Sequence, residues 1–399
     1  MTGTLPRAVT TRWLAPFGVT LFAMFALQLS NLGFSPLLPS IQKEFGMSYT
    51  QLGLFTGVYG LMALLLSVPA GITAKRFGEH NVLAVGMLAM TAGSVLLARA
   101  SSFEAALAFR TLTIAGYRFA FVSVLIAVAL TAPPSLRGRT MGVLGASSAL
   151  ASVIGAPIGG ALADDVGWRL AVLGYAGMAA AGALLFRLVY RPGTIDERTG
   201  TVSQARGGAA FGSPVVWMVA LIVGLGGFGQ FTVTNFVPSV ADAVYGLDAR
   251  AAGTIIGVGY LAAIVVNLAI GFLADRFNRI AVLGGVFTLL AVASAALTVT
   301  DLLVFRIATA AVIGLGFTAA NQLYGLAASL TPRAEAGHAM GIVSLGAGLF
   351  GYFGPQMLGL LRDWTHSFTA GFVMVAAADV MTVGLLVMLY RMTRREIPA

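Results

Sequence analysis

The stretch RTLTIAGYRFAFVSV carries an arginine, Arg118, followed by about a dozen uncharged and mostly apolar residues. A guanidinium is permanently charged and presents five N–H donors in a planar fork. That fork matches a carboxylate or another planar anion through paired hydrogen bonds. Few other residues offer chemistry. The chain has three histidines and no cysteine. His80 and His338 adjoin loops on one side of the chain's spans, and His366 adjoins a loop on the other. They support neither a metal cluster nor a hydrolase triad, and a Cys metal site or disulfide is impossible. No Gly-rich phosphate loop with a lysine is present, so no nucleotide-binding module is expected. The sequence therefore points to no enzyme and no cofactor. Among the acids, Asp379 in AAADVMTVG sits deep in an apolar run, whereas Glu104 and Asp242 stand near the ends of such runs.

What surrounds Arg118 follows from composition. Of 399 residues, 58% are hydrophobic and only 10% are charged, with a mean hydropathy of +0.89. Soluble domains carry about 25% charged residues, so most of this surface does not face water. The sequence holds twelve apolar runs of about 20 residues, from 14–36 through 214–239 and 339–361 to 369–390. Each is long enough to cross a hydrocarbon core as a helix, and helices satisfy their own backbone hydrogen bonds there. The 50 glycines suit close helix–helix approach in a membrane. The expected fold is an all-α polytopic membrane protein embedded in a lipid bilayer.

The net charge of +9 is distributed by topology. Of 24 lysines and arginines, 16 fall on one side of the spans, five on the other and three inside. The positive-inside rule then puts both termini in the cytoplasm. The basic balance reports orientation and points to no nucleic-acid partner. The N-terminal stretch leads into the first span without a cleavable signal pattern.

The polar stretch RPGTIDERTGTVSQARGG separates six spans from six. It divides the chain into a bundle at 1–190, a cytoplasmic linker at 191–213 and a second bundle at 214–399. The halves repeat at an offset of about 200 residues: GITAKRFGEH from Gly71 matches GFLADRFNRI from Gly271, and Gly53 matches Gly253. Phe109–Arg110 recurs at Phe305–Arg306, and Pro157 and Asp165 recur at Pro355 and Asp363. Six spans per half insert both copies the same way round. They are then related by a pseudo-twofold along the membrane normal, with a solute site between them near the midplane.

In these features the chain resembles the major facilitator superfamily along nearly its whole length. The two matched loops resemble that family's G-x-x-x-D-R-x-G-R-R loop, and GAPIGG with GWR (Gly155–Gly160, Gly167–Arg169) resembles its helix-5 motif. Arg110 stands where the family has a helix-4 arginine, and FSPLLPSIQKEFGMS is similar to the usual exit from helix 1. The resemblance implies two six-helix bundles that rock about a central cavity lined by helices 1, 4, 7 and 10. It implies gating or structural roles for Lys75, Arg76, Asp275, Arg276, Arg110, Arg306, Pro157 and Gly160. Glu104 or the helix-1 exit would neighbour Arg110, and Asp301 would neighbour Arg306. Lys75 replaces the family's aspartate. This reversal of charge either biases the conformational balance, by nature or by engineering, or is ordinary variation in a tolerant loop.

Arg118 lies roughly 22 Å into span 4 at 1.5 Å per residue, close to the bilayer centre. A guanidinium there costs about 2.5–3.5 kcal/mol even on the gentler insertion scale. Its two readings are recognition of a solute anion and bonding to carbonyls or a distant carboxylate. Polar residues at similar depth extend the candidate lining: Gln28, Asn31, Tyr59, Tyr117, Gln230, Asn235, Asn321, Gln322 and Tyr324. Each one alone also fits an interhelical hydrogen bond. Uncharged donors around one cation suit a monoanion. The sequence thus leads to a monomeric secondary transporter, active or facilitated, of a small organic or pseudohalide-like monoanion. It would work in a bacterial inner membrane, by symport, antiport or uniport. Asp379 and Glu104 are the candidates for a coupling proton, Asp379 also reading as a protonated structural acid. The competing readings are a proton-coupled multidrug exporter, favoured by GAPIGG, and a membrane protein that transports nothing.

Overall fold

The computed structural model describes residues 13–131, 136–190, 213–330 and 336–393. Twelve long helices fill these segments. The first six are α1 (Leu14–Phe45), α2 (Tyr49–Phe77), α3 (Glu79–Leu97), α4 (Phe103–Thr131), α5 (Arg137–Val166) and α6 (Trp168–Val189). The second six are α7 (Pro214–Tyr245), α8 (Ala249–Arg276), α9 (Arg279–Ala296), α10 (Leu302–Ser329), α11 (Ala336–Thr365) and α12 (Thr369–Thr393). Most of the linker expected at 191–213 lies outside the described residues.

Two helices run further than the hydropathy pattern suggests. The first apolar run ends near 36, but a 3₁₀ turn at Ser35–Leu37 bends the chain into another helical segment reaching Phe45. α7 continues past the expected end at 239, with Pro238 inside it, to Tyr245. The first extension carries Gln42, Lys43 and Glu44 and so falls out of a hydropathy window, and the two extensions meet across the bundles at Lys43 and Asp242.

The helix ends repeat as the sequence does. Gly46 and Gly246 close α1 and α7 in the left-handed conformation, with φ of 61° and 62°, which costs a glycine nothing. Two residues later, Ser48 and Asp248 cap α2 and α8 by accepting from the N–H groups of Gln51 and Ala251. The glycine ends one helix and the cap starts the next.

Packing obeys the same symmetry. In the N-terminal bundle α1 packs on α5 and α6, α2 on α4, and α3 on α4 and α6. In the C-terminal bundle α7 packs on α11 and α12, α8 on α10, and α9 on α10 and α12. Two seams join the bundles, α2 against α11 and α5 against α8. Glycine makes both seams close. A Cβ on Gly53 would overlap the backbone of Pro355 and Gln356, and one on Gly253 would overlap Ala156. Gly160, singled out in GAPIGG, meets the Ala249 backbone, and its counterpart Gly359 meets that of Tyr49. Pro157 packs its ring at Gly257 in the α5–α8 seam.

Candidate functional site

The two ends of the molecule differ. One carries the loops with Lys75, Arg76, Arg276 and Arg279, and is here called the basic end. At the other, acids meet cations and helix termini, and the bundles are tied together. Lys43 pairs with Asp242 at 2.8 Å, and Arg250 with Asp165 at 2.6 Å. The Asp164 carboxylate accepts the Arg250 N–H at 2.9 Å. Asp363 accepts from the N–H groups of Tyr49 and Thr50 and from the Thr50 hydroxyl, at 3.0, 2.8 and 2.6 Å. Both seams therefore end in a carboxylate set on the first turn of a facing helix, where exposed N–H groups favour negative charge. Nearer the centre, the Ser35 hydroxyl donates to the Thr234 carbonyl at 2.8 Å.

Below this sealed end the bundles enclose space. A cavity of about 480 Å³ lies between α2, α4, α7, α10 and α11, lined among others by Tyr59, Arg118, Phe231, Tyr324 and Ser344. A second, of about 610 Å³, lies between α5 and α8 and shares Leu125 with the first. Its walls include Tyr260, Asn267 and Asn321. Each volume falls in the range of small-molecule sites.

Arg118 reaches the first cavity with little to hold it. Its guanidinium carbon lies 4.0 Å from the centre of the Tyr59 ring and 5.7 Å from that of Tyr117. One Nη2 bond goes to the Tyr59 carbonyl at 3.2 Å, and its Nε, although buried, has no partner. No carboxylate pairs with it among the described residues. Cation–π stacking offsets part of the cost of burial but leaves most of the donor fork unused. Tyr59 in turn stacks on Phe231 across the gap, ring centres 5.3 Å apart. The Tyr59–Phe231 pair thus lies between Arg118 and the sealed end.

The other sequence candidates divide. Tyr59 and Tyr324 join Arg118 in one cavity, and Asn321 lines the other. Gln28 is held on both sides, accepting from the Tyr117 hydroxyl at 2.5 Å and donating to the Ser148 hydroxyl at 2.8 Å. It fixes Tyr117 beneath the Arg118 stack. Gln230 donates to Thr234 at 3.2 Å and reaches the Tyr260 hydroxyl at 3.4 Å. Asn235 spends its amide on the Phe231 carbonyl of its own helix. Gln322 is half-buried and lines neither cavity. Asn31 and Tyr117 border a separate small cavity around Arg110. Ser67 and Ser344, which also line the Arg118 cavity, carry no sequence signal beyond being hydroxyls in apolar runs.

One expected pairing is replaced, and for Arg110 the structure selects the helix-1 exit over Glu104. Arg110 does not meet Glu104, which is exposed at the end of α4. Its guanidinium instead lies 3.5 Å from the centre of the Phe34 ring, at the helix-1 exit. Arg306 is exposed, and Asp301 caps α10 through the Val304 N–H at 2.9 Å. In the matched loops Lys75, Arg76 and Arg276 are exposed, Arg76 lying over Phe77 and Arg276 over Phe272. The side chain of Asp275 lies outside the described residues. GWR forms an internal clamp: Trp168 donates to Glu44 at 2.6 Å, while Arg169 holds Glu44 and the carbonyls of Ala98 and Ala100. Asp379 is 2% exposed, accepts from the Ser294 hydroxyl at 2.8 Å and lies away from both cavities.

Comparison with known proteins agrees with this architecture. The family model described as Major Facilitator Superfamily matches residues 20–355 and, in a second match, 244–398. The nitrite extrusion protein of Bacillus subtilis is 26% identical over 380 aligned residues, covering 91% of each chain. A protein of Agrobacterium vitis named for tartrate transport is 25% identical over 422 aligned residues, covering 98% of this chain and 92% of its own. A bacterial homologue of the human lysosomal transporter Spinster, solved in an inward-facing, occupied conformation, superimposes with a TM-score of 0.76 at 18% identity. The match covers 99% of this chain and 98% of that one. By its family match, its twelve helices and its repeated halves, the chain is an integral membrane transport protein belonging to the major facilitator superfamily.

Proposed function

We propose that this chain moves a small organic or pseudohalide-like monoanion across a bacterial inner membrane by alternating access, with Arg118 binding the negative charge. One observation carries the reading: a guanidinium at membrane depth faces a solute-sized cavity with no carboxylate beside it among the described residues. A bidentate anion completes the donor fork that the protein leaves open. Tyr59 and Tyr324 present ring surface and hydroxyls around that charge, and Asn321 extends the polar wall toward α8. The names of the two relatives, for nitrite and tartrate, support an anionic solute. Nitrite is a monoanion, as a single cation favours, whereas a dianion calls for a second positive charge.

The positive-inside pattern places the basic end and both termini in the cytoplasm, so the sealed acid end faces outward. Rocking of the bundles opens the seams at Gly53 and Gly253 and closes the basic end, exposing Arg118 to each side in turn. Solute or ion gradients supply the energy. The exporter reading requires an acid in the cavity to exchange a cationic solute for a proton, and the described walls around Arg118 contain none.

A thermal-unfolding screen of the purified protein against a few dozen anions and cations tests the charge assignment, since a bound ligand raises the melting temperature by mass action. Stabilisation by small monoanions, reduced in Arg118→Ala, agrees with it. Stabilisation by cationic dyes alone rejects it in favour of the exporter.

A further inference from the structure

A groove of about 580 Å³ lies between α2, α3 and α4 of the N-terminal bundle. Its floor is a backbone contact: a Cβ on Gly86 would overlap the Gly116 carbonyl, and one on Gly116 the Gly86 carbonyl. With no side chain from either glycine, the space above stays open. Phe77, Val85 and Leu112 wall it and are 57%, 65% and 38% exposed. In a membrane-spanning bundle, apolar side chains exposed along a span face hydrocarbon. From Asn81 to Ala89 the groove follows α3 for about 12 Å. Half of a hydrocarbon core measures roughly 15 Å, so the groove is nearly one leaflet deep.

The polar side chains of the lining are Thr73 and Asn81, both toward the basic end, and the lining contains no carboxylate. Two arginines stand at that mouth. Arg187 donates to the Asn81 side-chain carbonyl at 3.5 Å, and the Arg76 guanidinium lies 5.2 Å from the centre of the Phe77 ring. Both are exposed, and neither has an ion-pair partner among the described residues. Glu79, at the start of α3, accepts from the Tyr190 hydroxyl at 2.9 Å. An apolar slot nearly one leaflet deep, headed by two guanidiniums without counter-charge, fits an amphiphile with a negative head. A zwitterionic head also brings a phosphate, but its ammonium needs an acid that this lining does not offer. We propose that the groove binds one anionic phospholipid of the leaflet at the basic end. Its phosphate lies at Arg76 and Arg187, and one acyl chain lies between Val85 and Leu112. The solute cavity takes Arg118, Phe121 and Leu125 from another face of α4, so the two sites share a helix and no residue.

The test is native mass spectrometry of the full-length protein, released from micelles holding equal amounts of phosphatidylglycerol and phosphatidylethanolamine with the same acyl chains. One phosphatidylglycerol should be retained in preference. Arg76→Gln and Arg187→Gln should each weaken its apparent affinity by about tenfold or more, as for the loss of one hydrogen bond to a charged group. Both side chains are exposed, so these variants should fold. Ala115→Phe, which fills the groove, should displace the lipid with both arginines intact. Lys75 stands two residues from both Thr73 and Phe77, on the far side of α2. Lys75→Gln should therefore change retention by less than about twofold. Equal retention of the two lipids would overturn the proposal. So would a loss in Lys75→Gln as large as in Arg76→Gln, which marks a diffuse field and no site. Lipid retained by Ala115→Phe as by the wild type, or a dimer of the chain in place of the lipid, would also overturn it. Arg118→Ala removes solute recognition and should leave lipid retention unchanged, so this inference and the proposed function fail separately.

Discussion

The two halves of this transporter share their packing and differ in their buried charge. At the seams they match closely: Gly53 and Gly253 admit a facing backbone, and Asp363 and Asp164 each cap the first turn of the opposing helix. At membrane depth the match ends. The N-terminal half carries Arg110 and Arg118 on α4, while the C-terminal half carries Asp379 on α12, bonded to Ser294 and remote from the cavities. The repeat has kept the contacts that join the bundles and has diverged in its buried charge. A single guanidinium on one side makes the cavity asymmetric, and the proposed function then has the solute held chiefly by one bundle.

The largest effect should come from breaking the shared part. Gly53→Val and Gly253→Val each force a branched side chain into a facing backbone, and overpacking of this kind costs about 1–3 kcal/mol or more. Both should raise the labelling of sites near Lys43 and Asp242 by an impermeant reagent, and by similar factors. If one does so and the other leaves the acid end closed, the two seams are not equivalent.

Next in size is a contrast between the seams' carboxylates. Asp363→Ala strips three hydrogen bonds from a helix start and should cost about 1.5–3 kcal/mol, as for bonds to a charged group. Asp165→Ala removes an ion pair whose side chains are 59% and 54% exposed, worth under about 1 kcal/mol. Thermal unfolding of the two variants should rank them in that order, and the reverse ranking would undo the reading of the seams.

The smallest effect concerns Asp379. Asp379→Asn keeps the shape and can still accept from Ser294, so transport in proteoliposomes should change by less than about threefold, with an unaltered dependence on the pH gradient. Loss of that dependence would instead make Asp379 the proton carrier.

Much of this was legible before any coordinates. The run lengths gave twelve spans, the offset of about 200 residues gave paired bundles, and the lone charge at Arg118 marked the cavity. Hydropathy failed at Leu38–Phe45, where polar helix continued past the apolar run, and α7 ran past its expected end at 239 to Tyr245. For Arg110 the expected helix-1 exit is where Phe34 stacks on it, whereas pairing failed for Arg306, which the fold leaves exposed while Asp301 caps α10. Amides were the least predictable. Gln28, Gln230 and Asn235 stand in apolar helices for the same apparent reason, yet all three bond within the protein. Sequence reports that a polar group must be satisfied at depth, but not whether a neighbour or a solute satisfies it.

The central claim is that one positive fork, stacked on Tyr59 and facing the gap between the bundles, recognises the transported anion. Uptake into proteoliposomes of the monoanion that best stabilises the protein, compared across wild type, Arg118→Lys and Arg118→Ala, tests it most directly. Losing two charge-assisted hydrogen bonds of about 1.5 kcal/mol or more each predicts a fall of roughly a hundredfold or more in Arg118→Ala, with partial activity in the lysine variant. Uptake by Arg118→Ala at the wild-type rate would contradict the account.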